Sequence, residues 1–257
     1  LRTRIYSGTI LSREPRRMSG ASPSYAEGIL VCPVAGDKFV AVDLAGGEIR
    51  WTFHPEQVSQ RRNVFFGGLR RNMNKVDHRE RRWVDACVSL VEGRALLTPQ
   101  GRDAIYCLDL QGGRPLWEAP RLDSQYLATT ANGMVALAGR GSMRGLNLES
   151  GTDAWPAVAL PPGTAPSGRG FASGGEYFLP LNNGEVAVID LKSGLIRKRT
   201  RSLSGSQPGN LISCGERIVS QSVDRIEAFD QIGVALKTSK ARLAEQPENG
   251  VLATEHA

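Results

Sequence analysis

A short segment recurs along this chain at intervals of about 40 residues, and the repeat limits the fold more than any other feature. Four copies read Asp or Asn, then Leu, with Gly four residues after the Asp or Asn, and three of them add Trp eight residues after it. A fifth copy is decayed. The signature residues are Asp43, Gly47 and Trp51; Asp109, Gly113 and Trp117; Asn147, Gly151 and Trp155; Asp190 and Gly194; and Asp230 in the decayed copy.

Each copy belongs to a larger unit of about four short strands. The Asp and Asn positions are 66, 38, 43 and 40 residues apart, and the first interval contains an extra stretch at 57–82. Ahead of each signature lies an apolar strand that opens on glycine, as in Gly28–Cys32 and Gly133–Leu137, and a further apolar piece precedes it. With 29 Gly and 14 Pro to form turns, a four-stranded unit of this period predicts an all-β fold, a β-propeller with about five recognisable blades.

The signature residues have structural roles in such a blade. Asp or Asn at the end of the third strand is expected to accept hydrogen bonds from turn amides, and the following Leu is expected to enter the core between blades. The glycine supplies the positive φ of a tight turn. Trp on the fourth strand is a large flat side chain that fills the gap between adjacent blades. The tryptophans are therefore predicted to pack rather than to stack on a cofactor.

These units resemble the repeats of the quinoprotein-type (PQQ-like) β-propellers, in the form Ala-x-Asp-Leu-x-x-Gly-x-x-x-Trp. The resemblance assigns residues 1–237 to a propeller, part of a seven- or eight-bladed ring or complete in itself. It leaves 238–257 as a tail that is either disordered or the start of a helical repeat. The family has a branch of quinone-dependent dehydrogenases and a non-catalytic extracytoplasmic branch, which includes the outer-membrane assembly lipoprotein. The second branch implies a binding or assembly scaffold for a protein partner.

The dehydrogenase branch implies a quinone stacked on Trp and on a disulfide between adjacent cysteines, with Ca²⁺ held by acidic and amide oxygens. This sequence has no Cys-Cys pair and no acidic cluster with calcium-loop spacing. We therefore assign no catalytic, cofactor-binding or metal residue, and the chain is predicted not to be an enzyme. A fragment of a PQQ-dependent dehydrogenase, with PQQ and Ca in the central channel, is kept as an alternative function.

The stretch 57–82 is a basic insertion between blades. It holds eight Lys and Arg residues against two acids, which equals the net charge of +6 of the whole chain. Three interpretations stay open: a solvated loop, a docking site for a protein, and a site for an anionic polymer or membrane surface. No nucleic-acid fold is recognised, so nucleic acid is not expected as a partner. The candidate partner-binding residues are Arg61, Arg62, Phe65, Phe66, Arg70 and Arg71.

The cysteines and the ends of the chain give little information about the fold or the function. Cys32, Cys87, Cys107 and Cys214 lack metal-ligand spacing and are interpreted as small buried hydrophobic residues, with disulfide formation left open. Neither a targeting signal nor a run of about 20 apolar residues is visible. An extracytoplasmic location is implied by the resemblance alone, and the sequence does not determine the oligomeric state.

Overall fold

The fold is built from antiparallel sheets in which consecutive strands pair. A computed structural model describes residues 22–34, 37–55, 83–84, 86–201, 205–215, 217–222 and 225–230. These residues form five sheets, each an up-and-down meander, and each sheet is called a blade below. The predicted all-β architecture of propeller blades is confirmed. The basic insertion at 57–82 and the tail at 238–257 lie outside the described residues, so their predictions stand as made.

The first of two compact units spans Leu1–Pro162 and contains three four-stranded blades. Their strands, in chain order, are as follows: blade 1 has β1 (Ser24–Ala26), β2 (Ile29–Val34), β3 (Lys38–Asp43) and β4 (Ile49–Phe53); blade 2 has β5 (Cys87–Val91), β6 (Arg94–Thr98), β7 (Ala104–Asp109) and β8 (Pro115–Pro120); blade 3 has β9 (Ser124–Ala131), β10 (Met134–Gly139), β11 (Ser142–Asn147) and β12 (Asp153–Ala159).

The second unit spans Gly163–Ala257. Its two blades use the following strands: blade 4 has β13 (Phe171–Ser173), β14 (Glu176–Pro180), β15 (Glu185–Asp190) and β16 (Ile196–Arg201); blade 5 has β17 (Asn210–Cys214), β18 (Arg217–Gln221) and β19 (Ile226–Asp230). The described part of blade 5 thus has three strands, where the repeat predicts four.

The signature turn and the glycine turn ahead of it are joined in every complete blade. The amide of the residue after Asp or Asn donates to the carbonyl oxygen of the glycine that precedes the second strand, as Leu110 does to Gly93 at 2.9 Å. The signature glycine amide donates to the carbonyl of the Asp or Asn, at 2.9 Å for Gly113 and Asp109. Gly47, Gly113, Gly151 and Gly194 all have φ between 67° and 76°, the left-handed region that favours glycine.

The blades of the first unit pack face to face. Alternate residues along each strand point to opposite faces of the sheet, so a blade can pack against a different neighbour on each face. Val31 and Phe39 of blade 1 join Leu97 and Leu108 of blade 2 in one buried cluster. The opposite face of blade 2, with Leu96 among others, forms a second cluster with blade 3. Blade 2 is thus buried on both faces.

Two expectations about burial were wrong at particular residues. The Leu after the signature Asp or Asn is fully or almost fully buried at 110, 148 and 191, but Leu44 is 51% exposed. Among the described residues of the first unit, no other blade packs on that face of blade 1. Among the cysteines, only Cys107 is buried; Cys32 and Cys87 are half-buried, and Cys214 is exposed at the end of β17.

Candidate functional site

The polar residues of the repeat are engaged in its turns. Asp43 Oδ1 accepts hydrogen bonds from the amides of Ala45 and Gly46, at 2.9 and 3.2 Å. Asn147 Oδ1 does the same for Glu149 and Ser150, at 2.9 and 3.0 Å. The carboxylates at 109 and 190 accept equivalent turn amides, from Gly112 at 2.6 Å and Ser193 at 2.8 Å. These side chains hold turns together.

The same contacts hold two of the carboxylates in their charged form. The pKa of Asp43 is lowered from its usual value because the amides of Gly46 and Ala45 donate to it, with a further contribution from the Arg50 charge. The pKa of Asp190 is lowered by the hydroxyl and amide of Ser193, and then by Arg197. A general base at neutral pH needs a pKa near that pH, so neither residue is tuned for proton transfer.

Two tryptophans form the joints between blades. The Trp51 indole N–H donates to the Leu110 carbonyl oxygen at 2.7 Å, and that of Trp117 donates to Leu148 at 2.8 Å. Each ring lies against the signature glycine of the following blade. A Cβ at Gly113 would stand 2.6 Å from Trp51 Cδ2, and one at Gly151 would stand 2.6 Å from Trp117 Cδ2. The glycine thus provides both the positive φ and the space for the indole.

Trp155 and Trp83 are anchored differently. The Trp155 N–H is directed at Met134 Sδ, 2.9 Å away in the same blade, and the ring covers Gly145. Trp83, which lies outside the repeat signature, is 1% exposed and donates to the Ala104 carbonyl at 3.0 Å. Spacing alone does not reveal this fourth anchor, because no repeat position predicts it.

A polar cleft of about 430 Å³ lies in the second unit. Its walls come from the segments before β13 and β17 and from the turn after β18: Ser167, Gln207, Pro208, Gly209, Asn210, Gln221, Ser222 and Arg225. These residues form no sequence motif and come together only through strand pairing, so the cleft is not predictable from residue spacing.

Hydrogen bonds to backbone atoms hold the walls of the cleft. The Ser167 hydroxyl donates to the Pro208 carbonyl at 2.6 Å, and the Asn210 amide oxygen accepts from Arg169 N at 2.8 Å. Ser222 Oγ donates to the Arg225 carbonyl at 3.3 Å.

The residues that the structure describes do not fit a quinone–calcium site. No three His, Cys, Asp or Glu side chains among them are grouped to hold a metal ion. The described cysteines, at 32, 87, 107 and 214, are far apart in the sequence, so none of them can form the adjacent-cysteine disulfide of the dehydrogenase branch. Burial raises the pKa of Cys107 to about 12 and also raises that of Cys32, so neither thiol is activated.

The run at 197–201 is paired on its own blade. Arg197 forms an ion pair with Asp190, while Arg199 and Arg201 lie 3.4 and 3.8 Å from the Glu185 carboxylate. These arginines are more than half exposed along β16. In the part of the chain that the structure describes, no helix is long and apolar enough to cross a membrane.

Known proteins share the architecture. A family model described as outer membrane protein assembly factor BamB matches residues 75–225. BamB from Moraxella catarrhalis matches with a TM-score of 0.55 and 14% identity over 84% of this chain, which spans 61% of that protein. A quinohemoprotein alcohol dehydrogenase from Pseudomonas putida HK5 matches with a TM-score of 0.50 and 12% identity, over 80% of this chain and 37% of that one. Among curated proteins, no sequence matches.

Proposed function

Because this chain belongs to the family described as outer membrane protein assembly factor BamB, we propose that it is a non-catalytic β-propeller scaffold that binds protein partners. The family is named for outer-membrane protein assembly. We therefore propose that this chain takes part in that process and that its location is extracytoplasmic. The chain spans 61% of the length of the Moraxella catarrhalis protein. That it binds the partners of a whole assembly factor is therefore itself a proposal.

One observation carries the proposal: the polar and aromatic residues of the repeat are used in turns and joints. Asp43 and Asn147 accept turn amides, and Trp51 donates to a backbone carbonyl of the next blade. Loops that connect the strands of a blade are not needed to hold its sheet together. Binding residues are concentrated on such loops. The residues at 61–71 are placed on such an insertion by the sequence.

The partner site is proposed to include Arg61, Arg62, Phe65, Phe66, Arg70 and Arg71. Arginine and aromatic residues are enriched at the energetic centres of protein interfaces. The test is affinity capture from a solubilised envelope extract, with the purified chain immobilised and the retained proteins quantified by mass spectrometry. We expect components of outer-membrane protein assembly to be retained. Alanine at the four arginines should reduce their recovery at least tenfold.

The matched control replaces Lys198 and Arg199, two exposed basic residues of β16 in blade 4, with alanine. Equal recovery with both variants would contradict the assignment of the site to the insertion. If a folded chain retains no assembly component, the scaffold itself is contradicted. Saturable, calcium-dependent binding of pyrroloquinoline quinone would support the dehydrogenase alternative. Steep loss of binding to anionic vesicles as salt rises would support the anionic-surface alternative.

A further inference from the structure

The first turn of blade 3 presents an asparagine followed by a glycine to solvent. Asn132 and Gly133 connect β9 to β10, and Ala131 pairs directly with Met134, so these two residues are the whole turn. Both have positive φ, 52° and 70°, as a two-residue hairpin turn that matches the twist of its strands requires. Both are exposed. Water therefore reaches the Asn132 carboxamide and the backbone amide that follows it.

Hydrogen bonds hold neither the side chain of Asn132 nor the amide of Gly133. The Asn132 carboxamide makes no hydrogen bond with any residue that the structure describes, and the Gly133 amide has no acceptor among those residues. A Cβ built on Gly133 would have no atom within 4 Å, so the space beside this turn is open. Because glycine has no side chain, the Gly133 nitrogen and the Asn132 side-chain carbonyl carbon can approach each other.

The equivalent pair in blade 4 is held in place. The sequence contains Asn-Gly at 132–133, 183–184 and 249–250, and the last of these lies outside the described residues. Asn183 Nδ2 donates to Glu185 Oε2 at 3.0 Å, and Asn183 Oδ1 accepts from the Glu185 amide at 3.1 Å. The Gly184 amide donates to the Leu181 carbonyl oxygen at 3.2 Å, and Gly184 is buried. Two identical dipeptides thus differ in whether these groups are available.

We propose that Asn132–Gly133 is a site of spontaneous covalent modification, with water as the co-reactant. The Gly133 amide nitrogen loses its proton to a base in the solvent and attacks Asn132 Cγ. The new C–N bond closes a succinimide ring, and the side-chain nitrogen takes up a proton and leaves as ammonia. Water then adds to one of the two ring carbonyls and opens the ring, which gives aspartate or isoaspartate. No electrons are transferred, and the net change replaces an amide with a carboxylate.

Hydrogen bonds connect this turn to the joint between blades 2 and 3. The Gly133 carbonyl oxygen accepts from the Leu148 amide at 2.8 Å, and the Leu148 carbonyl oxygen accepts from the Trp117 indole N–H at 2.8 Å. Isoaspartate at 132 adds a carbon atom to the main chain of a turn that has two residues, and it therefore moves the Gly133 carbonyl away from the Leu148 amide. The modification thus weakens the Trp117 joint. This inference does not depend on the function proposed above.

The test compares the two described Asn-Gly pairs in one sample of the full chain. The chain is incubated at pH 8, and the peptides that contain Asn132 and Asn183 are quantified over time by mass spectrometry, with isoaspartate identified by electron-transfer fragmentation. In the folded chain we expect Asn132 to be converted at least tenfold faster than Asn183. In urea the two rates should become similar, because unfolding removes the hydrogen bonds of Asn183 and Gly184. Equal or reversed rates in the folded chain would overturn the proposal.

Asn132→Glu is the matched control for the effect on the joint. Glutamate occupies the same turn position in blades 1 and 2, as Glu27 and Glu92 with φ 51° and 48°, so the variant should fold. It has no side-chain amide to lose. Urea unfolding is measured before and after incubation at pH 8. We expect the midpoint of the wild type to fall as isoaspartate accumulates and that of Asn132→Glu to stay constant. A constant midpoint in a modified wild type, or an equal fall in both chains, would overturn the link to the Trp117 joint.

Discussion

The Trp51 indole N–H donates to the carbonyl oxygen of Leu110, 2.7 Å away and 59 residues along the chain. This buried hydrogen bond joins the last strand of blade 1 to the signature turn of blade 2. It satisfies one polar group from each blade at the point where their apolar faces meet. Trp117 and Leu148 repeat it one blade further on. The same joint therefore recurs at both interfaces between the blades of the first unit.

Trp51→Phe should destabilise the chain by about 2–3 kcal/mol. The change leaves the buried Leu110 carbonyl without its donor and removes part of a packed ring. Trp155→Phe is the control, since its N–H faces Met134 Sδ, and sulfur is a weak acceptor. Urea unfolding should show a smaller loss for Trp155→Phe. Equal losses would mean that the hydrogen bond to Leu110 contributes nothing specific.

Gly113→Ala should be more damaging than Gly133→Ala. Both glycines have positive φ, 67° and 70°, so both substitutions carry the same backbone strain of about 1–2 kcal/mol. A methyl group at 133 has open space, whereas one at 113 meets the Trp51 ring. Overpacking adds about 1–3 kcal/mol. Thermal unfolding of the two variants measures the difference, and identical midpoints would contradict the packing of Trp51 on Gly113.

Leu110→Ala and Leu44→Ala compare one repeat position in two environments. Leu110 is fully buried, so its truncation should cost about 2–5 kcal/mol. Leu44 is 51% exposed, and its truncation should change the free energy of unfolding by less than about 0.5 kcal/mol. A large loss at Leu44 in urea unfolding would show that something covers blade 1 in solution.

Asp190→Asn should make stability less dependent on acid pH. The pKa of Asp190 in the folded chain is lowered by Ser193 and Arg197. Its stabilising contribution is therefore present above the unfolded pKa of about 3.9 and is lost as pH falls toward the lowered folded value. Asn147 already holds the equivalent turn, so the variant should fold. We expect it to be less stable than the wild type at pH 7 and to approach it at pH 3, as followed by urea unfolding. A constant gap would contradict the pKa shift.

The thiols should react in the order of their exposure. Cys214 is exposed, whereas Cys107 is buried and its pKa is raised to about 12 by desolvation. At pH 8, iodoacetamide should label Cys214 within minutes and Cys107 only after unfolding, because the thiolate is the nucleophile. Peptide mass spectrometry gives the rates, and Cys214→Ser removes the fast label. Rapid labelling of Cys107 in the folded chain would contradict its burial.

The blades could be predicted from the sequence because the same residue types recur at the same short spacing in each copy. A carboxylate at a strand end and a glycine four residues later specify the same turn wherever they occur, as at Asp43 and Gly47. The same reasoning was wrong about Leu44 and Cys214, since burial depends on which element covers a face. It also did not find the cleft around Ser167 and Asn210, whose walls lie about 40 residues apart in the chain.

The sequence by itself determined the strands, the turns and the period of the blades, because these follow from residue types at short spacing. It also supported the assignment of the family. Only the tertiary structure decided which residues each repeated residue contacts. Trp51 donates to the Leu110 carbonyl and packs on Gly113, whereas no indole among the described residues packs on Gly47. Identical signatures lie in different environments because a blade face is buried by the neighbouring blade, and the repeat signature does not specify that neighbour.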